Sequence, residues 1–148
     1  MDNFSATVDP NDYRKLMGLL TGLSEFEKDA VVAKAIQEGL KVIMQQGKTN
    51  LATSGTKVRK GNLSGSFKVL TNKKDLKGYA GFKRPQGAAA HLIDRGTKVR
   101  YTRNGAKRGK VTGNLFWTNA VRDKSGKAMD ELMDSVQKTI QRIINKNK

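Results

Sequence analysis

The chain contains no cysteine and a single histidine, His91. Disulfide frameworks, thiolate nucleophiles and Cys/His zinc sites are excluded, and one imidazole is too few for a histidine-based metal centre. Aromatic residues are scarce, at 6% of 148 residues, and the hydrophobic set reaches 36%. A chain of this length fits one domain of the usual size of about 100 to 200 residues, here with a modest core and part of its stability drawn from neighbouring subunits. Long apolar runs are missing too. Nothing approaches the roughly 18 consecutive apolar residues of a transmembrane helix, and the opening MDNFSATVDPNDYRK lacks the basic region and apolar core of a secretory leader. The expectation is a soluble chain with no membrane segment, cytoplasmic when made.

Acidic residues are rare where basic ones are dense. The formal net charge is +16, with 7 acids against 4 bases in residues 1–38, 3 against 21 in 39–127, and 3 against 4 in 128–148. The middle of the chain is a polycation, and such a field attracts nucleic acid or an acidic protein surface.

What is present reads as helix, sheet, helix. Asp9-Pro10 is an N-cap followed by proline at the first helical position, opening a short helix with Tyr13, Leu16, Leu19 and Leu20 on its apolar face. Ser24 and Glu27 have capping-box spacing. From there Phe26, Ala30, Ala33, Ile36, Leu40, Ile43 or Met44, and Leu51 recur close to a 3.6-residue period. Gly39 and Gly47 interrupt that helix, and Gly47 marks either a close backbone approach or a helix end. Ser66–Leu70 and Gly78–Phe82 carry β-formers around a hairpin turn at Asn72-Lys73-Lys74-Asp75. A third strand, Thr97 to Arg103, follows Gly96 and is closed by the loop 104–110. All three strands are expected in one antiparallel sheet, one face on helices and the other wet. Residues 114–121 then enter a helical region with a break at Ser125-Gly126, after which Met129, Leu132, Met133, Val136, Ile140, Ile143 and Ile144 line one face.

The reading is a single α+β domain over 1–148. It comprises an N-terminal arm with a short helix (1–23), a long helix (24–53), sheet and loops (58–112) and C-terminal helices (114–146).

Catalytic signatures do not assemble. Gln46-Gly47-Lys48-Thr49 resembles the end of a phosphate-binding loop, but the position of its first glycine is Val42, inside a helix. Gly-x-Ser-x-Gly occurs nowhere. Asp94, three residues from His91, is one acid among many bases, and general acid/base work needs a partner carboxylate or imidazole matched to it. Its simpler roles are to cap a turn or to pair with Arg95 or with a neighbour's arginine. No enzyme and no cofactor are expected.

Two basic clusters remain. One is Lys57, Arg59 and Lys60; the other is Lys98, Arg100, Arg103, Lys107, Arg108 and Lys110. Either can track phosphates, yet only Tyr101 offers a stacking surface and no base-reading motif is present, so binding would be blind to sequence.

Three ordered segments carry a resemblance. Gly61-Asn62-Leu63-Ser64-Gly65-Ser66-Phe67, Ala90-His91-Leu92-Ile93-Asp94-Arg95-Gly96-Thr97 and Asn114-Leu115-Phe116-Trp117-Thr118-Asn119-Ala120 resemble T-G-x-L-x-x-S-[IF], Y-A-x-x-V-E-F-G-T and P-x-x-F-L-x-P-A. These mark a tail-completion, head-to-tail joining (neck) family of long-tailed, lambda-like bacteriophages. Together with the flanking helices the match covers roughly residues 25 to 145. Asp94-Arg95 stands where the family has Glu-Phe, Trp117 where a leucine is usual, and Asn119 in place of a proline.

The resemblance implies a structural virion protein of the neck, forming a six-fold or twelve-fold ring with other neck, connector and tail-tube proteins as partners. Phe116, Trp117, Asp94 and Arg95 would then lie at a subunit or partner interface, with plain core packing as the alternative for the two aromatics. The basic loop of Lys98, Arg100, Arg103, Lys107, Arg108 and Lys110 would face genome DNA or a partner ring.

Overall fold

The computed structural model describes residues 10–55 and 63–147. Asp9, the Gly61-Asn62 turn, the cluster Lys57, Arg59 and Lys60, and the side chain of Phe26 lie outside the described residues. Helices α1 (Pro10–Leu19) and α2 (Glu25–Thr53) lead into a hairpin of β1 (Phe67–Asn72) and β2 (Lys77–Phe82). A one-turn helix α3 (Ala90–Arg95), a second hairpin of β3 (Arg100–Tyr101) and β4 (Lys107–Gly109), and the long helix α4 (Phe116–Lys146) follow. The class is α+β: two long helices carry a small antiparallel β region. No helix of the described residues is long and apolar enough to cross a membrane.

Local chemistry sets the element boundaries. The Ser24 hydroxyl accepts the Glu27 N–H at 3.3 Å while the Glu27 carboxylate accepts the Ser24 N–H at 2.9 Å. Two of the free donors at the start of α2 are thereby satisfied. The β1–β2 turn is held by Asn72, whose Oδ1 accepts the Lys74 N–H at 3.0 Å and whose amide donates to Asp75 at 2.7 Å.

The core is the seam between α2 and α4. Val31, Val32, Ala35, Leu40, Ile43 and Leu51 of α2 are buried, as are Phe116, Trp117, Ala120, Ala128, Leu132 and Val136 of α4. Ala30, placed on the buried face by periodicity, is exposed, because that face is covered by α1 and α4 together and is centred on Val31, Val32 and Ala35. Gly47 is not a helix end. A Cβ there would come within 2.8 Å of the Trp117 ring, and one on Gly39 within 2.7 Å of the Ala128 carbonyl oxygen. Both glycines therefore lie where α4 approaches α2 too closely for a side chain, and their weak helix propensity is outweighed by the packing they allow.

Two further expectations are corrected. Helix α4 runs unbroken through Ser125-Gly126, because Ala120 and Ala128 on either side are buried and that packing outweighs the weak helix propensity of the pair. The strands form two separate two-stranded sheets rather than one of three. The reason lies at Gly96, which has φ +80° and redirects the chain. Thr97 then pairs with Val111, donating its N–H to the Val111 carbonyl at 2.9 Å and accepting the Val111 N–H on its hydroxyl at 3.0 Å. The third strand shrinks to Arg100–Tyr101, and part of the expected loop 104–110 becomes β4.

The first hairpin behaves as patterned. Phe67, Val69 and Thr71 turn toward α2, whereas Lys68, Leu70 and Asn72 are exposed. Phe67 pairs with Phe82, Val69 with Ala80 and Leu70 with Tyr79.

Candidate functional site: the Asp94 joint and the basic ribbon

Helix α4 begins without a cap of its own. Its N-cap residue, Leu115, sits in the left-handed region at φ 53° and offers no side-chain acceptor. The first N–H groups of a helix have no intrahelical partner, yet here each finds one. The Leu115 N–H donates to the Asp94 carbonyl at 2.9 Å and the Phe116 N–H to Asn114 Oδ1 at 3.0 Å. Asp94 Oδ1 accepts the N–H of Trp117 at 2.8 Å and of Thr118 at 3.1 Å. Asp94 Oδ2 accepts the Thr118 hydroxyl at 2.5 Å. A carboxylate 23 residues upstream thus caps α4, with the positive end of the helix dipole favouring its charge.

Asp94 is only 5% exposed, so its hydrogen bonds are what make its burial tolerable. The helix it caps is α4, not its own turn. His91 lies on the exposed side of α3, and no hydrogen bond joins it to Asp94.

The backbone at the joint is equally tight. A Cβ on Gly96 would lie 2.6 Å from both the Gly113 nitrogen and the Val111 carbonyl oxygen, and one on Gly113 2.5 Å from the Arg95 carbonyl carbon. The Asn114 N–H donates to the Ile93 carbonyl at 3.0 Å. Segments 93–97 and 111–115 are therefore locked back to back.

Below the joint, four rings interlock. Phe67 and Phe82 stand 4.8 Å apart, Phe82 lies 5.1 Å from Trp117 and 5.8 Å from Phe116, and Phe67 lies 6.1 Å from Trp117. These spacings suit tilted and edge-on contacts, which add to the area the rings bury. Phe116 is 1% and Trp117 8% exposed, so both belong to the core of their own chain. Asn50 of α2 donates to the Phe116 carbonyl at 3.0 Å, tying α2 to the same point. Trp117 and Arg95 also line an open groove of about 820 Å³ between the first hairpin, α3 and the start of α4, together with Lys68, Leu70, Tyr79 and Arg84.

The basic residues gather elsewhere. Lys98, Arg100, Arg103, Lys107, Arg108 and Lys110 are all exposed along the β3–β4 hairpin, here called the ribbon. Its tip is ordered by backbone bonds from Thr102 to Ala106 at 2.8 Å and from Gly105 to Thr102 at 2.9 Å, and by the Ala106 N–H on the Thr102 hydroxyl at 3.0 Å. Tyr101, paired with Lys107, is 64% exposed. No ion pair between these six cations and a carboxylate occurs among the described residues, where such pairs involve Lys15, Lys41, Arg122 and Lys138.

The structure thus separates two groups that sequence placed side by side. Asp94, Phe116 and Trp117 build the joint, Arg95 flanks the groove, and the six cations occupy the ribbon. Sequence reading missed Thr118, Thr97 and Gly113, whose roles depend on partners 14 to 24 residues away. The one local signal was Leu115, a poor N-cap residue that required an acceptor from outside the helix.

No protein-family model, curated protein or solved structure matches the chain.

Proposed function

We propose that the protein is a structural component of a tailed-bacteriophage virion, a neck or tail-completion protein that assembles as a ring and joins tail to head. The observation that carries this reading is the convergence of the three segments on which the resemblance rests. Phe67 ends the first, Asp94 and Gly96 lie in the second, and Phe116, Trp117 and Thr118 lie in the third. They meet in one place, through the ring cluster and the Asp94 cap. Residues separated by about 25 to 50 positions in sequence form one packed unit, as segments of a shared motif should.

The surface supports self-association. Tyr13, Met17, Leu70 and Tyr79 are large apolar side chains at 39% exposure or more, surface that a neighbouring copy can cover. A single repeated contact between unlike faces closes into a ring when its rotation divides a full turn. The partners in this reading are further copies and the other neck, connector and tail-tube proteins, and the protein resides in the virion after assembly in the host cytoplasm. Its work is docking, and no catalytic step is assigned to it.

The rival reading is a free, sequence-blind nucleic-acid-binding protein, favoured by the unpaired cations of the ribbon. The two separate in an in vitro joining assay, in which filled heads and tails lacking this component are mixed with the purified chain. Restored joining supports the neck reading. Separate heads and tails despite an intact fold of the added chain would refute it.

A further inference from the structure

We propose that the β3–β4 ribbon is a contact for the phosphate backbone of duplex nucleic acid, made without regard to base sequence. The inference does not depend on the neck reading, since it rests on charge and geometry alone.

Between Leu63 and Lys127 there are 16 lysines and arginines against 3 acids, and residues 95–122 contain no acid at all. One of the three acids, Asp94, is consumed by the α4 cap. The most acidic part of the chain, residues 1–38, has an excess of only 3 acids. A second copy cannot neutralise this field, and ring closure would concentrate it further. A dense external polyanion is the partner such a field attracts most strongly.

An acidic protein and a nucleic acid both qualify on charge, and the ribbon's composition decides between them. Stable protein interfaces are centred on desolvated apolar or aromatic anchors and are depleted of lysine there. The ribbon has six cations, and its large exposed apolar side chains are Tyr101 and Val99 alone. Contact with phosphates requires no apolar centre; it gains from counterions released as each cation approaches the backbone. Three of the six are arginines, whose planar guanidinium matches two phosphate oxygens at once.

Geometry points the same way. An antiparallel two-stranded ribbon has the width that a DNA major groove admits, and the six cations exposed along it are then within reach of the backbone phosphates. The ribbon is fixed at its base by Thr97 on Val111 and by the close approach of Gly96 to Gly113. Its tip is held by the Thr102–Ala106 bonds, so little ordering cost remains at binding. Lone Tyr101, 64% exposed, adds a sugar or backbone contact that every sequence offers.

The test uses the full-length protein and fluorescence anisotropy with two labelled duplexes of unrelated sequence, titrated with salt between about 50 and 200 mM. Both duplexes should bind equally. The variant R100Q/R103Q/K107Q/R108Q should bind at least ~10-fold more weakly, with the log–log salt slope shallower by about 0.9 for each phosphate that is no longer neutralised. Its melting temperature should match wild type, since exposed, unpaired cations contribute little to stability. Polyglutamate matched in charge should displace the duplex poorly. Absence of duplex binding, equal binding by the variant, or efficient displacement by polyglutamate would each overturn the proposal, the last by assigning the ribbon to an acidic protein. Native mass spectrometry on the same samples reads subunit number separately, so failure of duplex binding and failure of the ring reading are distinguishable.

Discussion

Asp94 accepts the backbone N–H of Trp117 at 2.8 Å and the hydroxyl of Thr118 at 2.5 Å, so the helical turn that carries Asp94 also starts α4. Replacing Asp94 by alanine removes the acceptor of two backbone donors and a hydroxyl, and leaves the Trp117 N–H stranded in a buried site while Thr118 can turn to water. The expected destabilisation is about 2 kcal/mol or more in chemical denaturation. Asp94→Asn should be intermediate, since its amide oxygen can still accept from Trp117 and Thr118. An alanine variant as stable as wild type would show that the cap is replaceable by water.

Gly96 tests the backbone of the same joint. With φ at +80° and backbone atoms 2.6 Å from a Cβ position, Gly96→Ala should be destabilised by about 1 to 3 kcal/mol, and Gly96→Val by more because β-branching tightens the clash. Thermal melting of the two variants gives the order. Equal stability of Gly96→Val and wild type would contradict the geometry.

The far end of α4 supplies an internal control. Ile140 is partly buried against the cluster of Leu16, Leu20, Val32 and Val136, whereas Ile144 is 45% exposed. Ile140→Asp should lower stability by about 1 to 3 kcal/mol, and Ile144→Asp by less than about 0.5 kcal/mol. A pair of equal melting curves would mean that the end of α4 is not packed.

Hydrogen bonds from Ser24, its backbone N–H first and its side chain second, hold the Glu27 carboxyl below its ordinary pKa. A carboxyl whose pKa is depressed by folding contributes its stability above the unfolded value, and that contribution disappears as pH falls through the folded value. The stability difference between wild type and Glu27→Ala should therefore be constant near neutrality and vanish in the acid range below the ordinary glutamate pKa. Melts across pH read it directly, and a difference that persists in acid would remove the capping role of the charge.

Elements governed by local chemistry were legible in the sequence. The Ser24–Glu27 box, the Asn72 turn and the apolar stripe of α4 as far as Ile143 follow from neighbours within a few residues, and so does the class; Ile144, expected on the same face, is 45% exposed because it lies past the last residues packed on α1 and α2. The joint was only half legible. Gly96 announced a special backbone, but Asp94 gave no sign that its partner was a helix 23 residues on, because capping from a distance leaves no spacing to read. The single three-stranded sheet failed for a related reason. Alternation along Thr97–Arg103 describes an exposed ribbon as well as a sheet strand, and the Thr97–Val111 clamp that separates them is a long-range contact. Gly47, ambiguous by propensity, was resolved only by the Trp117 ring against it.

The central claim is that copies of this chain close into a ring. Native mass spectrometry of the full-length protein over a range of concentrations, with negative-stain images of the same samples, tests it most directly, first alone and then with connector and tail-tube proteins. A discrete closed oligomer of six or twelve subunits, seen as rings with a central opening, is the predicted result. A strict monomer that also fails to join those partners would contradict the account.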